Sequence, residues 1–463
     1  MNSETLYRRL PAPLQNLACS AQGWRMQRSR FGRGFHDALA AGVTRCSQPL
    51  SVLQSERTCR LRLILESASH SPFWQERFRT YDIDPKGPDP FLQLERLPIL
   101  SKAEVQAHAN YLRPNLEFLR SVTQKPLVKC HTSGTTGSGL IFFSTAEAEA
   151  ERWATWWRYR QWHGLDMDRW CGTFAGRSVI PQYQSTPPYW RINRPGRQVL
   201  FSAYHLSEQT APLYLAEVQR RQLPWLHGYP SILALVAGYA VQLGFDFSSH
   251  LKIVTTGAES LLPHQRQLIE HAFGVAVRDH YGQAEGVANI SERPDGQLQV
   301  DEDYSIVEFL PTHLPGQYRI IGTTLTNPAF PLLRYDTQDI ATVTDDSVWQ
   351  NPSSWRLVDS VDGRREDYLI LSDGSKVGRL DHILKDMVEI TEAQFYQRLA
   401  GEAELRIVPG PHYNAAVQRR LMQEIDQRLG DRIHIQLCIV SHIQRTATGK
   451  LRFVISDIPE ARI

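Results

Sequence analysis

Between Lys129 and Ser144 the chain reads Lys-Cys-His-Thr-Ser-Gly-Thr-Thr-Gly-Ser-Gly-Leu-Ile-Phe-Phe-Ser. Two hydroxyl pairs, Thr132-Ser133 and Thr135-Thr136, are interleaved with Gly134, Gly137 and Gly139. Such residues give a core nothing to pack. Glycine lets the backbone approach a ligand and adopt positive φ. Hydroxyls and free N–H groups in such a loop are donors for phosphate oxygens. The stretch reads as a polyphosphate-holding loop; the plainer alternative is a flexible hairpin turn, because the apolar flanks Pro126–Val128 and Leu140–Phe143 both read as strands. It is not a Walker loop: Ser138 follows Gly137 where that motif needs a lysine, and no lysine stands within the glycine-rich loop. Nor is it a dinucleotide fingerprint, whose glycine spacing differs and which opens a helix.

Further polar clusters follow in order. They are Gly257-Ala258-Glu259, Tyr281-Gly282-Gln283-Ala284-Glu285, Tyr335-Asp336-Thr337-Gln338-Asp339, Gly363-Arg364-Arg365-Glu366-Asp367 and Thr448-Gly449-Lys450. With Thr132-Ser133-Gly134-Thr135-Thr136-Gly137 at their head, they resemble the ordered motifs of the adenylate-forming superfamily of acyl-CoA synthetases, luciferases and adenylation domains. Ala284 stands where that pattern has a hydroxyl residue, and Gln338 where it has glycine. Gly176–Pro181, Phe201–Leu206 and Gly228–Ser231 are similar to the phenylacetate–CoA ligase group, particularly its capsular-polysaccharide-associated branch.

The resemblance implies an α/β fold. A large N-terminal domain, residues 1–362, is expected to hold layered sheets and helices with a β-rich subdomain, and a small mobile α+β domain, residues 363–463, to carry the catalytic lysine. It also implies the chemistry. A carboxylate is a poor electrophile because its oxygen leaves badly; transfer of AMP from ATP turns that oxygen into a phosphate leaving group. Such a displacement needs positioning and charge stabilisation more than covalent help.

On this resemblance Thr132, Ser133, Gly134, Thr135, Thr136 and Gly137 hold the phosphates, and Lys450, Thr136 and Glu285 are catalytic. Glu285 binds Mg²⁺, a hard ion that prefers oxygen ligands. Gly257, Ala258 and Glu259 line the adenine pocket, with His280, Tyr281, Gly282 and Gln283 beside the nucleotide. Asp339 receives the ribose hydroxyls, Arg364 binds ribose or phosphate, and Glu366 is the hinge, with Asp367 as its alternate. Tyr204, His205, His227, Gly228 and Tyr229 border the acid, with Gly257 at the floor. Each role has a plainer counterpart: a helix cap for Glu285, a turn for Asp339, a solvated cation for Lys450, an interdomain ion pair for Arg364, and satisfied structural rings for His205 and His227.

The expected reactants are ATP, Mg²⁺, a small or aryl carboxylic acid and CoA. An amine or a carrier-protein thiol is the alternative acceptor. The departures at Ser138, Ala284 and Gln338 motivate a third reading, a degenerate nucleotide-binding or scaffold protein, against which Glu285, Asp339 and Lys450 stand intact.

The elements that must position these residues are legible in outline. The 463 residues are 42% hydrophobic and 22% charged, enough for a large core and more than one domain. A net charge of +2 implies no nucleic-acid partner. Six scattered cysteines without a CxxC pair and 16 histidines without metal-ligand spacing argue against a zinc site or a disulfide framework. The N-terminus lacks an apolar leader and no window is apolar enough to span a bilayer, so no membrane insertion and a cytoplasmic location are expected. Residues 1–50, with Arg25, Arg28, Arg30 and Arg33, read as a solvated, partly helical lead-in.

Helices are expected over Leu61–His70, after Pro72, over Lys102–Ala109 behind Ser101, and from Thr145 to Trp162. The last carries Trp153, Trp156 and Trp157 on one face, read as core packing. Strands at Trp170–Phe174, Pro224–His227, Leu251–Thr256 and Val275–His280 alternate with helices at Ala211–Arg221, Ile232–Leu243 and Pro263–Phe273. That order argues for a largely parallel sheet with ligands at its carboxyl ends. Ser305–Leu310, Gln317–Ile321 and Pro331–Tyr335 read as a β-rich part. Leu405–Val408, a helix over Ala415–Leu429 and Ile433–Val440 read as the small C-terminal domain.

Overall fold

The structure, a computed structural model, describes residues 6–7, 9–131, 140–175, 179–181, 184–312, 314–351, 353–364, 369–372, 376–377, 380–384, 387, 389–410, 412–445 and 451–458. The chain forms two compact units: Met1–Trp24 with Met167–Asp279 and Gly363–Ile463, and Arg25–Asp166 with His280–Asp362.

The first unit contains a six-stranded sheet in the order Trp190–Asn193, Gln198–Ser202, Cys171–Ala175, Trp225–Gly228, Ile253–Thr256, Val277–Arg278. Only the first pair is antiparallel. The first two of these strands were not expected from the sequence. The helix Pro230–Leu243 is apolar nearly all round, and nine of its residues are buried, as a helix covering a sheet requires. Pro230 starts it, and Gly244, at φ 67°, ends it in the left-handed conformation that glycine adopts freely. Phe174, Phe201, Leu226, Leu233 and Val254 form the core between helix and sheet. In the same unit a four-stranded sheet runs His434–Ile439, Glu402–Pro409, Ile390–Leu399, Val454–Ser456, with the helix Ala415–Leu429 capped by Asn414.

The ten-residue strand Ile390–Leu399 is hidden in the sequence by its polar side chains. Glu392, Gln394 and Gln397 are buried, and Gln397 is satisfied: Ile370 N–H donates to Gln397 Oε1 at 2.7 Å, and Gln397 Nε2 donates to Ile370 O at 2.8 Å.

The second unit places helices Leu50–Ser69, Pro72–Thr80 and Lys102–His108 around Leu61, Leu65, Trp74, Leu100 and Val105. Ser71 caps the second of these, and Ser101 caps the third as the sequence predicts, in a reciprocal box with Glu104. Val128–His131 and Ile141–Ser144 pair antiparallel, with His131 opposite Ile141. Thr145 caps the helix Ala146–Trp162. Trp153 and Trp157 pack against Phe31 at 6.0 and 6.4 Å between ring centroids, while Arg160 lies 3.5 Å over Trp156. The stripe is therefore packing surface, as expected, overlaid by cations. Arg25, Arg28 and Arg33 are exposed, and Arg30 lies over Trp153.

The same helix also buries Arg158, which the sequence did not single out. Its guanidinium is 1% exposed and bonds Asp301 at 2.7 Å and Asp303 Oδ2 at 2.6 Å; Arg45 Nε donates to the same Asp303 Oδ2 at 2.8 Å.

Two expected strands require correction. Val275–His280 is two strands: Val277–Arg278 closes the parallel sheet, and His280–Gly282 belongs to an antiparallel sheet with Asn289–Glu292, Leu298–Val300 and Leu357–Val358. Between them Asp279 accepts from Thr256 Oγ1 at 2.7 Å, which fixes the turn-out. Pro331–Tyr335 is not the third strand of the β-rich part. That strand is Tyr335–Thr342, so the Tyr335–Asp339 motif lies within it; Pro331 to Arg334 lead in, and Leu100 bridges to Tyr335.

Among the described residues no helix is long and apolar enough to cross a membrane.

Candidate active site

In the first unit several of the residues expected to border the acid share the carboxyl edge of the parallel sheet. His227 and Gly228 end the strand Trp225–Gly228, Gly257 follows Ile253–Thr256, and His205 closes the single 3₁₀ turn after Gln198–Ser202. Gly228 is required there: a Cβ would lie 2.1 Å from Phe174 O. Tyr229 N–H donates to that same carbonyl at 3.0 Å, which fixes the strand-to-helix turn. His227 Nδ1 lies 2.9 Å from Thr255 Oγ1, and His205 Nδ1 lies 2.7 Å from Ser202 Oγ. The His205 ring stacks on Tyr189 at 5.3 Å. Each imidazole thus has its Nδ1 tied to its own scaffold. The Tyr204 backbone shares the 3₁₀ turn; its side chain lies outside the described set.

At the same edge Ala258 adopts φ 69° and turns Glu259 back over the sheet end. Ser231 Oγ donates to Glu259 Oε2 at 2.6 Å, and Leu451 N–H donates to Glu259 Oε1 at 2.6 Å. Arg445 Nη1 donates to Ser231 Oγ at 2.7 Å, and its other arm pairs with Glu392. Burial pushes the Glu259 carboxyl up, and the Arg445 charge and these bonds offset only part of that rise. The sequence marked Glu259 but not Ser231, Glu392 or Arg445. The one available signal was that Arg445 opens the basic loop containing Thr448-Gly449-Lys450.

In the second unit Tyr281, Gln283 and Asp339 meet. Tyr281 OH donates to Asp339 Oδ2 at 2.7 Å; Gln283 Nε2 donates to the Tyr281 oxygen at 2.6 Å and to Asp339 Oδ2 at 3.0 Å. The antiparallel strand His280–Gly282 brings Tyr281 there, and Tyr335–Thr342 brings Asp339. Burial, then the Asp339 charge, then that of Glu285 hold the Tyr281 phenol protonated far above its ordinary range. Thr337 Oγ1 accepts from Asp339 N–H at 3.1 Å, so Asp339 also has the turn partner expected of it. Glu285 lies in the turn beside Gly286, which takes φ 68°.

Gln338, standing for the glycine of the motif, keeps a left-handed backbone at φ 65°. The backbone thus retains the conformation glycine adopts freely while the side chain strains against it. Gln338→Gly is expected to stabilise the protein by about 1 kcal/mol, read as a higher urea midpoint at unchanged slope. A lower midpoint would contradict the strain.

Burial, joined by the Arg160 charge, lowers His280 to about 3, so its ring between Trp156 and Tyr159 is neutral. The unfolded chain, with the ordinary value of 6.5, binds this proton first. Stability therefore falls as pH drops from 6.5 toward 3. His280→Asn is expected to flatten the thermal midpoint's dependence on pH across that window. An unchanged slope would show that the ring protonates in the folded state.

Thr132, Ser133, Gly134, Thr135, Thr136, Gly137, Lys450, Glu366 and Asp367 lie outside the described residues. Arg364 ends the strand Ser360–Arg364, and its side chain lies outside them as well.

Residues 369–457 match the family described as the CapK C-terminal domain. The whole chain is similar to protein CapK of Staphylococcus aureus, 23% identical over 460 residues, covering 98% of this chain and 99% of that one. It is also 23% identical over 442 residues to the phenylacetate–coenzyme A ligase of Escherichia coli strain K12, covering 88% of this chain and 90% of the other. Among solved structures, 2-hydroxyisobutyryl-CoA ligase in the postadenylation state with 2-HIB-AMP superposes with a TM-score of 0.66 at 19% identity, over 88% of this chain and 90% of that one. The chain is a homologue of CapK and of the phenylacetate–coenzyme A ligases, and it has the fold of the adenylate-forming ligases.

Proposed function

We propose that this protein activates a carboxylic acid with ATP and passes the acyl group to CoA. The acid's carboxylate oxygen attacks the α-phosphorus of ATP, the bond to the β-phosphate oxygen breaks, and pyrophosphate leaves with that electron pair. The thiolate sulfur of CoA then attacks the acyl carbon, and the carbon–oxygen bond to AMP breaks.

The observation that carries this reading is the anchoring of Arg445 and Leu451, which flank the Thr448-Gly449-Lys450 loop, to Ser231 and Glu259 at the sheet edge bearing His227, Gly228 and Gly257. An active lysine on that loop must reach the reacting carboxylate, and its flanks are held where ligands of parallel sheets bind. Lys450 would neutralise charge between carboxylate and α-phosphate, and Thr132–Gly137 would hold the β- and γ-phosphates. The carboxylate of Asp339, already oriented by Tyr281 and Gln283, has acceptor capacity left for ribose hydroxyls. Mg²⁺, which neutralises developing phosphate charge, would be held by Glu285, whose acidic oxygen suits a hard ion. The sheet-edge residues with aromatic Tyr229 suit a small or aryl acid. Residues 363–463 would act as the mobile lid and Glu366 as its hinge.

The test is product identification. Purified protein incubated with ATP, Mg²⁺ and a carboxylic acid panel is expected to yield acyl-AMP by mass spectrometry, converted to acyl-CoA when CoA is added. Conversion only with amines or a carrier-protein thiol would remove CoA as acceptor.

A further inference from the structure

In the second unit a cavity of about 540 Å³, the size of a small-molecule site, lies between the strand Ile141–Ser144 and the stretch where the helix Lys102–His108 ends and leads toward the helix Leu116–Val122. Ala109, Ile141 and Phe143 give it apolar walls, backed by the buried side chains of Leu140, Phe142 and Phe330. Ile141 is 51% exposed, a large apolar side chain left at the opening. Arg113 lines the cavity as well, with its guanidinium carbon 4.2 Å from the centroid of the Phe143 ring. That ring is the guanidinium's sole partner among the described residues: it makes no hydrogen bond or ion pair, and its Nε–H is buried without an acceptor. Its backbone is held in place. Leu112 and Pro114 on either side are buried, Leu112 N–H donates to His108 O at 3.1 Å, and Asn115 N–H donates to His70 O at 3.0 Å. Other half-buried or buried arginines of this unit, Arg77, Arg158 and Arg334, each pair with a carboxylate. Leaving Arg113 without one costs free energy, because an unmet buried donor forfeits its hydration. The Phe143 ring meets the face of the guanidinium and leaves the N–H groups at its edge unused.

We propose that this cavity is a binding site for a small organic carboxylate, whose aryl or branched-alkyl body lies against Ile141 and Phe143 and whose carboxylate pairs with Arg113. A guanidinium stacked on a ring presents a planar fork of donors that matches the two oxygens of a carboxylate. The amide side chains of Gln106 and Asn110, which also line the cavity, can orient the head group. A bare inorganic anion would leave the apolar walls wet, and a neutral molecule would leave the guanidinium without a counter-charge. The cavity lining carries no nucleophile and no acid–base pair, so the ligand is held there and not transformed. The site shares no residue with the sheet edge proposed for the reacting acid and does not rest on that proposal.

The experiment has two arms on the full-length protein, both without ATP. In the first, equilibrium dialysis measures binding of radiolabelled benzoate. Wild type is expected to bind it with a Kd of about 1 mM, the scale for a ligand of so few atoms. Arg113→Met should weaken binding about tenfold, and Arg113→Lys should recover part of it as a point charge without the fork. Ile141→Glu, at an exposed position, places a like charge in the cavity and should also weaken benzoate binding. Benzyl alcohol, which lacks the carboxylate, should bind wild type and Arg113→Met alike. No saturable benzoate binding to wild type, or binding indifferent to Arg113, would overturn the site. Displacement of benzoate by an equal concentration of inorganic phosphate would overturn the organic ligand class.

The second arm locates the ligand by hydrogen–deuterium exchange with and without saturating benzoate. Slower exchange is expected over residues 106–115 and 140–145 in wild type, and no change there in Arg113→Met. Protection confined to residues 225–231, at the sheet edge, would overturn the cavity as a site, because the benzoate would then sit only where the reacting acid is placed. If no acid is activated by the enzyme while residues 106–115 and 140–145 are protected, the function proposed above fails and this site stands. Ile141→Glu keeps Arg113 in place and so tests the cavity even if Arg113→Met folds poorly.

Discussion

Lys450→Ala is expected to cut acyl-adenylate formation by about 10²–10³-fold, the scale seen when one preorganised charge-stabilising donor is removed from a site. The KM for ATP should move far less, because the loop residues Thr132–Gly137, with Asp339, would still bind the nucleotide. A lysine is a compact point charge, whereas a guanidinium is a planar fork, so Lys450→Arg should recover little. Steady-state pyrophosphate release against ATP and acid concentration separates these effects. A raised KM with unchanged kcat would instead mark Lys450 as a binding residue. Thioester formation from supplied acyl-adenylate provides the internal control, since no α-phosphate is attacked in that step.

Arg158→Met should be the most destabilising single change in the second unit. Asp301 and Asp303 are each 1% exposed or less, and Arg158 compensates both. Burial alone would raise Asp303, but Arg158 and Arg45 outweigh it and bring Asp303 down to about 2. Truncating one partner of a buried ion cluster strands the others, at a cost of about 3–5 kcal/mol. Urea unfolding monitored by tryptophan fluorescence reads this as a lower midpoint. Acid titration supplies a second signature. Asp303 contributes stability that is full above its ordinary value of 3.8 and lost as pH falls to about 2; in Arg158→Met, which removes the main charge holding Asp303 down, that acid-linked loss should shrink. A variant with wild-type midpoint would mean that the guanidinium is dispensable to this core.

Where the sequence was readable, local chemistry and tertiary packing agreed. Pro263 opens and Gly274 ends the helix Pro263–Phe273, and Asn414 caps Ala415–Leu429, so both were read to the residue. The parallel strands Trp225–Gly228 and Ile253–Thr256 are apolar enough to be seen within a residue or two of their observed ends. Ile390–Leu399 was missed because Glu392, Gln394 and Gln397 look like solvent-facing residues, yet their partners, Arg445, Arg452 O and Ile370, come from elsewhere in the sequence. Pro331–Arg334 misled in the opposite sense: apolar residues in a lead-in gave the appearance of a strand.

The candidate site divides the same way. Gly228 ends one short apolar strand and Gly257 follows another, so their place at a sheet edge was visible in the sequence. Tyr281, Gln283 and Asp339 were marked individually, but the bonds joining them need two antiparallel strands from distant stretches. That Arg445, Ser231 and Glu392 meet had no local signature, because it depends on a helix and a strand about 150 residues apart in sequence converging on one guanidinium.

The most direct test of the central claim is acid-dependent exchange of labelled pyrophosphate into ATP, measured over a carboxylic acid panel with wild type and Lys450→Ala side by side. The account predicts at least one acid that drives exchange in wild type and loses it in the variant. Exchange with no acid, or exchange indifferent to Lys450, would contradict it.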